Sequence, residues 1–300
     1  MQRAHGSARR TTEDKVVDFV NYTLLLIISF VMFYPFYYTV ICSFSDGLDL
    51  MKGGVYFFPR VFSLESFKLF LNDASWQNAF MVSVARTAVG GVLSTLMTTV
   101  FAYGLSRREL IFRKGYSLMV IITMYFSGGL IPFYVLLRNL GLLNTFWVYV
   151  IPGMVNTFFT ITGINFMRSI PDSILEAARI DGASEFRIFS QIVLPTSLPF
   201  LATLGLFSAV GQWNSWLDAA YYVRDTKLHT LAYKTMTTLN QALASSKDAA
   251  TAGQISTANQ ATNFTIQATA MVISMVPILC VYPFLQKYFV QGMMLGAVKE

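Results

Sequence analysis

Three hundred residues, 54% of them hydrophobic and only 13% charged, exclude an ordinary soluble domain, in which about a quarter of residues carry charge. They exclude a disordered chain equally well. The formal net charge of +6 invites a nucleic-acid partner, but Lys and Arg fall in small groups between apolar stretches, not in a stripe that could follow phosphates.

The N-terminal tail carries Arg3, His5, Arg9 and Arg10 and precedes an apolar run too long for a signal-peptide core, so it reads as a retained signal anchor. A helix crossing the hydrocarbon layer needs about 20 residues. Residues 19–45 lack any charge and give the first span. The second, 76–106, contains Arg86, which either snorkels to the surface or faces protein, a pore lining being one such position. The third covers 115–137, and the fourth covers 147–167 with an interruption at Pro152-Gly153. The fifth covers 195–217, where Pro195 and Pro199 suit a first turn or a kink. The sixth covers 264–288. Cys42 and Cys280 lie inside apolar runs and read as small packing residues, not as a disulfide framework.

The expected fold is therefore an all-α integral membrane protein with six transmembrane helices in one domain, residues 1–300. Basic residues set its orientation. Arg107, Arg108, Arg113 and Lys114 sit between spans two and three. Arg168, Arg179 and Arg187 lie between four and five, Lys287 lies at the end of six, and Lys299 follows it. This places both termini and those loops in the cytoplasm, with 46–75 and the long external loop 218–263 opposite. Thr235–Asn263, rich in Ala, Thr, Gln and Asn, suits a surface helix or scoop-like loop that docks an external partner or serves as a spacer.

The segment 169–194 is too organised for a plain connector. Its pattern gives two short amphipathic helices with a turn at Gly182, a residue that tolerates a left-handed backbone. Ser173 with Glu176, or Ser169 with Asp172, offers a capping box. Glu176 and Arg179 are spaced to meet on one helical face. Small Ala177 and Ala178 let a partner approach closely, and Glu176, Arg179, Asp181 and Glu185 offer directional contacts. On physics alone, a docking element and a hairpin lying on lipid headgroups stand level.

A resemblance separates them. Glu176-Ala177-Ala178, three residues, Gly182, nine residues, Ile192, one residue and Leu194-Pro195 match the cytoplasmic signature of bacterial ATP-binding-cassette (ABC) importer permeases. Gly128–Thr145, GQWNSW at 211–216 and the tail 288–300 resemble the oligosaccharide-uptake branch. The likeness covers nearly the whole chain and implies a type I importer permease fold with a cytoplasmic coupling helix hairpin. It implies a second homologous permease subunit, two cytoplasmic ATPase subunits and an external or periplasmic solute-binding protein, all at the bacterial inner membrane. Glu176, Ala177, Ala178, Arg179, Asp181, Gly182, Leu194 and Pro195 would then couple the ATPase to the spans. ATP and Mg2+ would be used by the partner ATPase, and this chain would bind no cofactor.

The sequence agrees with that division of labour. It contains no G-x-x-x-x-G-K-[ST] phosphate cradle. His5 and His229 offer no zinc cluster, and no Ser-His-Asp arrangement is defensible. No catalytic or metal-binding residue is therefore assigned. A saccharide pathway needs amides for hydroxyls and flat rings for the apolar faces of sugars. Asn156, Asn165, Gln212, Trp213, Asn214 and Trp216 supply both, while interhelical glue or an aromatic interface belt is the alternative use of the same residues. A secondary transporter or a non-transporting scaffold are the competing functions. Few midplane charges argue against the first.

Overall fold

Lipid offers no water to bond an amide, so apolar runs of this length fold as helices. The computed structural model of the chain describes residues 12–247, 262 and 264–280. Pairing of extended segments among those residues is confined to one isolated bridge, Ser45 with Phe62. Helix α1 is Thr12–Ser43, followed by short α2 (Gly47–Met51) and α3 (Glu65–Asn72). Then come α4 (Ala74–Ser106), α5 (Arg113–Tyr125), α6 (Leu130–Asn139) and α7 (Thr157–Arg168). The hairpin contributes α8 (Asp172–Ile180) and α9 (Glu185–Ile188), with a π-helical turn, Phe189–Val193, leading into α10 (Leu194–Thr196). After these follow α11 (Leu198–Asn214), α12 (Leu217–Tyr222), α13 (Leu231–Lys247) and α14 (Phe264–Cys280).

Helix α4 is the central element, packed chiefly against α11 and α7. Small residues let the backbones approach, as at membrane-helix interfaces generally. A Cβ on Gly163 would stand 2.8 Å from Ala102 Cβ and 2.8 Å from the Phe200 ring, and one on Gly90 would stand 2.8 Å from the Gln212 side chain. Around Ala102, Ile164 and Phe200 lies an apolar cluster that continues through Met167 and Ile170 into Leu175, Ile188 and Val193 of the hairpin. Helix α1 is peripheral: its apolar window buries nothing within this chain.

Among the described residues two helices, Asp14–Ser43 and Ala74–Ser106, are each long and apolar enough to cross a membrane alone. The other candidates are bent pairs. Where the sequence suggests one straight span at 115–137, α5 and α6 meet at 116°. The reason is local, since Gly129 takes φ +82°, a conformation open to glycine. The 13 residues of α5 then reach only about 20 Å. In the fourth candidate, 3-10 turns at Phe146–Tyr149 and Ile151–Gly153 precede α7, with a 43° bend. That break falls at the Pro152-Gly153 interruption read from sequence.

The fifth candidate differs at both ends. Pro195 belongs to α10, Ser197 closes that turn, and the chain bends by 82° before α11 begins at Leu198. Helix α11 ends at Asn214, three residues short of the expected 217. Of the sixth span, α14 covers Phe264–Cys280. Residues 281–288, the tail 288–300 with Lys299, Lys287 and the basic N-terminal residues Arg3, Arg9 and Arg10 lie outside the described residues. Cys42 is buried as expected for a packing residue, whereas Cys280 is exposed.

Candidate functional site

The hairpin stands on its own local chemistry and on the core beneath it. Helix α8 begins at Asp172 after Pro171, and no side chain caps it, so neither expected capping box forms. Its C-terminus closes as a Schellman turn: Gly182 N donates to Arg179 O and Ala183 N to Ala178 O, both at 3.0 Å. Gly182 takes φ +77°, the left-handed conformation this motif requires. Ser184 then caps α9 by accepting from Arg187 N. Leu175 and Ile188, 2% and 1% exposed, pin both arms to the cluster shared with α4, α7 and α11. A displacement of the hairpin is thereby a displacement of the packed helices.

Glu176 and Arg179 do not meet, contrary to their spacing. Arg179 turns instead to Glu185 and to Glu109 of the α4–α5 loop, each at 2.9 Å. Tyr103 Oη donates to Glu185 at 2.7 Å from α4. Tertiary partners outcompete the i,i+3 pair because two carboxylates and a fork of donors satisfy each other better than one exposed contact. Glu176 is left exposed with no ion pair among the described residues. Beside it, Ala177 and Asp181 are exposed, Ala178 is half-buried, and Ile180 and Phe186 are 87% and 79% exposed. Leu194 is half-buried and Pro195 exposed in α10.

The Tyr103 hydroxyl first, and Arg179 after it, hold Glu185 below its ordinary carboxylate value against the opposing effect of burial. Glu109 is lowered by its own backbone amide and by Arg179. A depressed carboxylate stabilises the fold fully above its unfolded value, about 4.3 for Glu, and that contribution is lost as pH falls through the depressed value. Lowering the pH from about 5 to 3 is thus expected to reduce the melting temperature more in the wild type than in Glu185→Gln. Parallel melting curves across that window would remove Glu185 from the brace.

A second constellation lies within α4. Arg86, 1% exposed, faces protein. Its Nη2 and Nη1 reach Asp218 at 2.5 and 3.2 Å, Nε and Nη2 donate to Gln212 Oε1 at 3.0 and 2.9 Å, and Nη1 donates to Ser215 O at 3.2 Å. A guanidinium has five N–H donors, and these five bonds use them all. The Tyr149 ring lies 4.4 Å from Arg86 Cζ, and Gln212 Nε2 donates to Tyr149 O at 3.2 Å. The network ties α4, α11, the start of α12 and the turn before α7 together. No spacing in the sequence connects Asp218 or Tyr149 with Arg86. The one available signal was a lone acid just beyond an uncharged run, opposite in sign to a lone base inside another.

The six pathway candidates separate. Gln212 is engaged with Arg86. Asn156 caps α7, its Oδ1 accepting from Phe159 N at 3.1 Å, and its backbone N–H donates to Thr98 Oγ1 at 2.9 Å. Asn165 is exposed on α7. Trp213 is buried, its indole donating to Ser274 O of α14 at 3.0 Å. Trp213, exposed Asn214 and half-buried Trp216 line one cavity of about 280 Å3 between α11, α13 and α14. Gln267 also lines it, and its buried Oε1 has no hydrogen-bond partner. Asn156 and Asn165 are not part of it.

Comparison with known proteins fits this architecture. Residues 6–295 match the family model described as "Binding-protein-dependent transport system inner membrane component". The chain is 34% identical over 288 residues to the polygalacturonan/rhamnogalacturonan transport system permease protein YtcP of Bacillus subtilis, covering 96% of this chain and 99% of the relative. Protein LplC of Bacillus subtilis is 35% identical, with 96% and 97% covered. Among solved structures, a chain of a bacterial ABC transporter involved in the import of the acidic polysaccharide alginate superposes with TM-score 0.83 at 28% identity, covering 94% of this chain and 100% of the other.

Proposed function

The chain belongs to the binding-protein-dependent transport system inner membrane component family, and from that premise we propose that it is a permease subunit of an ATP-driven saccharide importer. Oligosaccharides of acidic polysaccharides are the first substrates to test, because a relative is named for polygalacturonan/rhamnogalacturonan transport and a structural neighbour for import of the acidic polysaccharide alginate. As a membrane permease component it supplies a path, and hydrolysis belongs to a partner.

The observation that carries the reading is the hairpin. It presents Glu176, Ala177, Ile180 and Phe186 outward while Leu175 and Ile188 are fixed in the core. We assign this face to the groove of a cytoplasmic ATPase, two copies of which serve this chain and a second permease subunit. We assign both termini and the hairpin to the cytoplasm from the distribution of basic residues, with α13 outside, where a solute-binding protein docks. Introduced cysteines test this topology: an impermeant thiol reagent added outside should label position 240 and spare position 110, and the reverse pattern would overturn it.

The direct test of function is the complex reconstituted in proteoliposomes with its binding protein. ATP-dependent uptake of an oligosaccharide, with hydrolysis stimulated by the loaded binding protein, is the expected result. Uptake driven by an ion gradient without ATP would instead identify a secondary carrier. Within the path, Asn214 is a better probe than Asn156, whose loss removes a helix cap worth about 1 kcal/mol. Asn214→Ala should lower uptake with assembly intact, and unchanged uptake would release it from the pathway.

A further inference from the structure

The ends of α4, α7 and α8 and the start of α5 enclose a second cavity, of about 340 Å3, walled by five arginines and three carboxylates. Two of the arginines are paired: Arg179 with Glu109 and Glu185, and Arg108 with Asp172 at 3.2 Å. Arg107 lies over the Tyr103 ring, 4.5 Å from its centroid. Arg113 and Arg168 have no ion pair among the described residues, and both wall the cavity. One opens α5 and the other closes α7. Two basic side chains held at fixed helix ends around one cavity raise the local positive potential and favour an anion there, against the one unpaired carboxylate of the wall, Glu176.

The position of the cavity indicates which anion. Helix α5 buries none of its residues in this chain, and Leu118, Met119 and Ile122 are exposed along it. In a membrane permease such a surface faces lipid or a second subunit. Arg113 is the first residue of α5, at the end of that apolar surface, the position at which basic residues flank a span beside the headgroups. The guanidinium fork matches phosphate oxygens in two-point contact. We propose that this cavity binds the phosphate of an anionic phospholipid headgroup, held by Arg113 and Arg168 with Arg107 at its edge. The proposal rests on the membrane-permease reading. Because Leu175 and Glu176 of α8 share the cavity wall, the bound headgroup touches the hairpin that we assign to coupling.

The test uses the purified importer complex in nanodiscs of phosphatidylcholine, titrated with headgroup-labelled phosphatidylglycerol. Each basic residue near a membrane surface contributes about fivefold in affinity, so Arg113→Gln/Arg168→Gln should bind the labelled lipid roughly thirtyfold more weakly. Arg168→Lys should retain most of the affinity. Arg187→Gln removes a charge from the same loop, outside the cavity, and should change little. Equal weakening by Arg187→Gln would reduce the effect to general surface charge and overturn the site. Full displacement by millimolar inorganic phosphate would show a free-anion site, and binding seen only without the ATPase would show that an acidic ATPase residue is the natural occupant. Either result overturns the lipid assignment. Failure of the importer reading would appear separately, as absent saccharide uptake with lipid binding intact.

Discussion

Asp218→Ala is expected to be among the most destabilising single substitutions in the chain, costing about 3–5 kcal/mol, the usual consequence of removing one partner from a buried ion pair. The carboxylate accepts two of the five hydrogen bonds that Arg86 donates. Without it a guanidinium only 1% exposed is left with two of its N–H donors unpaired inside packed protein. Arg86→Ala should cost a similar amount, because it strands Asp218 and leaves Gln212 Oε1 without its donors. The double variant Arg86→Met/Asp218→Leu separates electrostatics from packing, since replacing both members of a buried pair by apolar groups is often neutral or better. The purified protein should therefore melt well below the wild type in either single variant and recover much of the loss in the double. Wild-type melting of Asp218→Ala would show that the pair carries no stability, and a double variant worse than both singles would show that packing alone decides the site.

Why this pair escaped the sequence while the hairpin did not is a matter of range. Gly182 needs its left-handed backbone for reasons contained within a few residues, and the Schellman bonds to Arg179 and Ala178 follow from that. The long uncharged runs of α1 and α4 are likewise local facts. Arg86 and Asp218 are 132 positions apart, and no spacing rule connects them. Arg179 shows the same competition within one element. Its helical neighbour Glu176 was the reasonable partner by spacing, yet Glu109, 70 positions away, and Glu185 across the turn are in place. The bends are a middle case: Gly128-Gly129 was visible, but an apolar run continuing past it reads as one span until the φ of Gly129 redirects the chain through 116°. The pathway candidates depended most on contacts the sequence cannot show. Asn156 and Gln212 both look like amides free for a sugar until Phe159 N and Arg86 are seen to use them.

Glu176→Ala and Gly182→Val are expected to disable transport by different routes, and the difference tests the coupling assignment. Glu176 is exposed and has no ion pair among the described residues, so its loss should leave the hairpin and the melting temperature of the isolated chain unchanged. If Glu176 becomes buried and hydrogen-bonded in an ATPase groove, truncating it removes a contact of about 2–5 kcal/mol. The ATPase should then dissociate more readily, or remain bound while hydrolysis no longer drives uptake. Gly182 acts through the backbone. At φ +77° a side chain has open space around it, so the cost is torsional, about 1–2 kcal/mol for an L-residue in the left-handed region and more for a β-branched one. The turn should shift to relieve that strain, moving α9 relative to α8 and misdirecting the docking face, while Leu175 still holds α8 to the core. Gly182→Asn tolerates the same φ better and should restore part of the activity, which a simple loss of space would not predict. Subunit stoichiometry, ATP hydrolysis and saccharide uptake must be measured together on the reconstituted complex. Native assembly, native binding-protein stimulation and native uptake in both Glu176→Ala and Gly182→Val would remove the hairpin from the transmission of force, leaving the helical fold untouched.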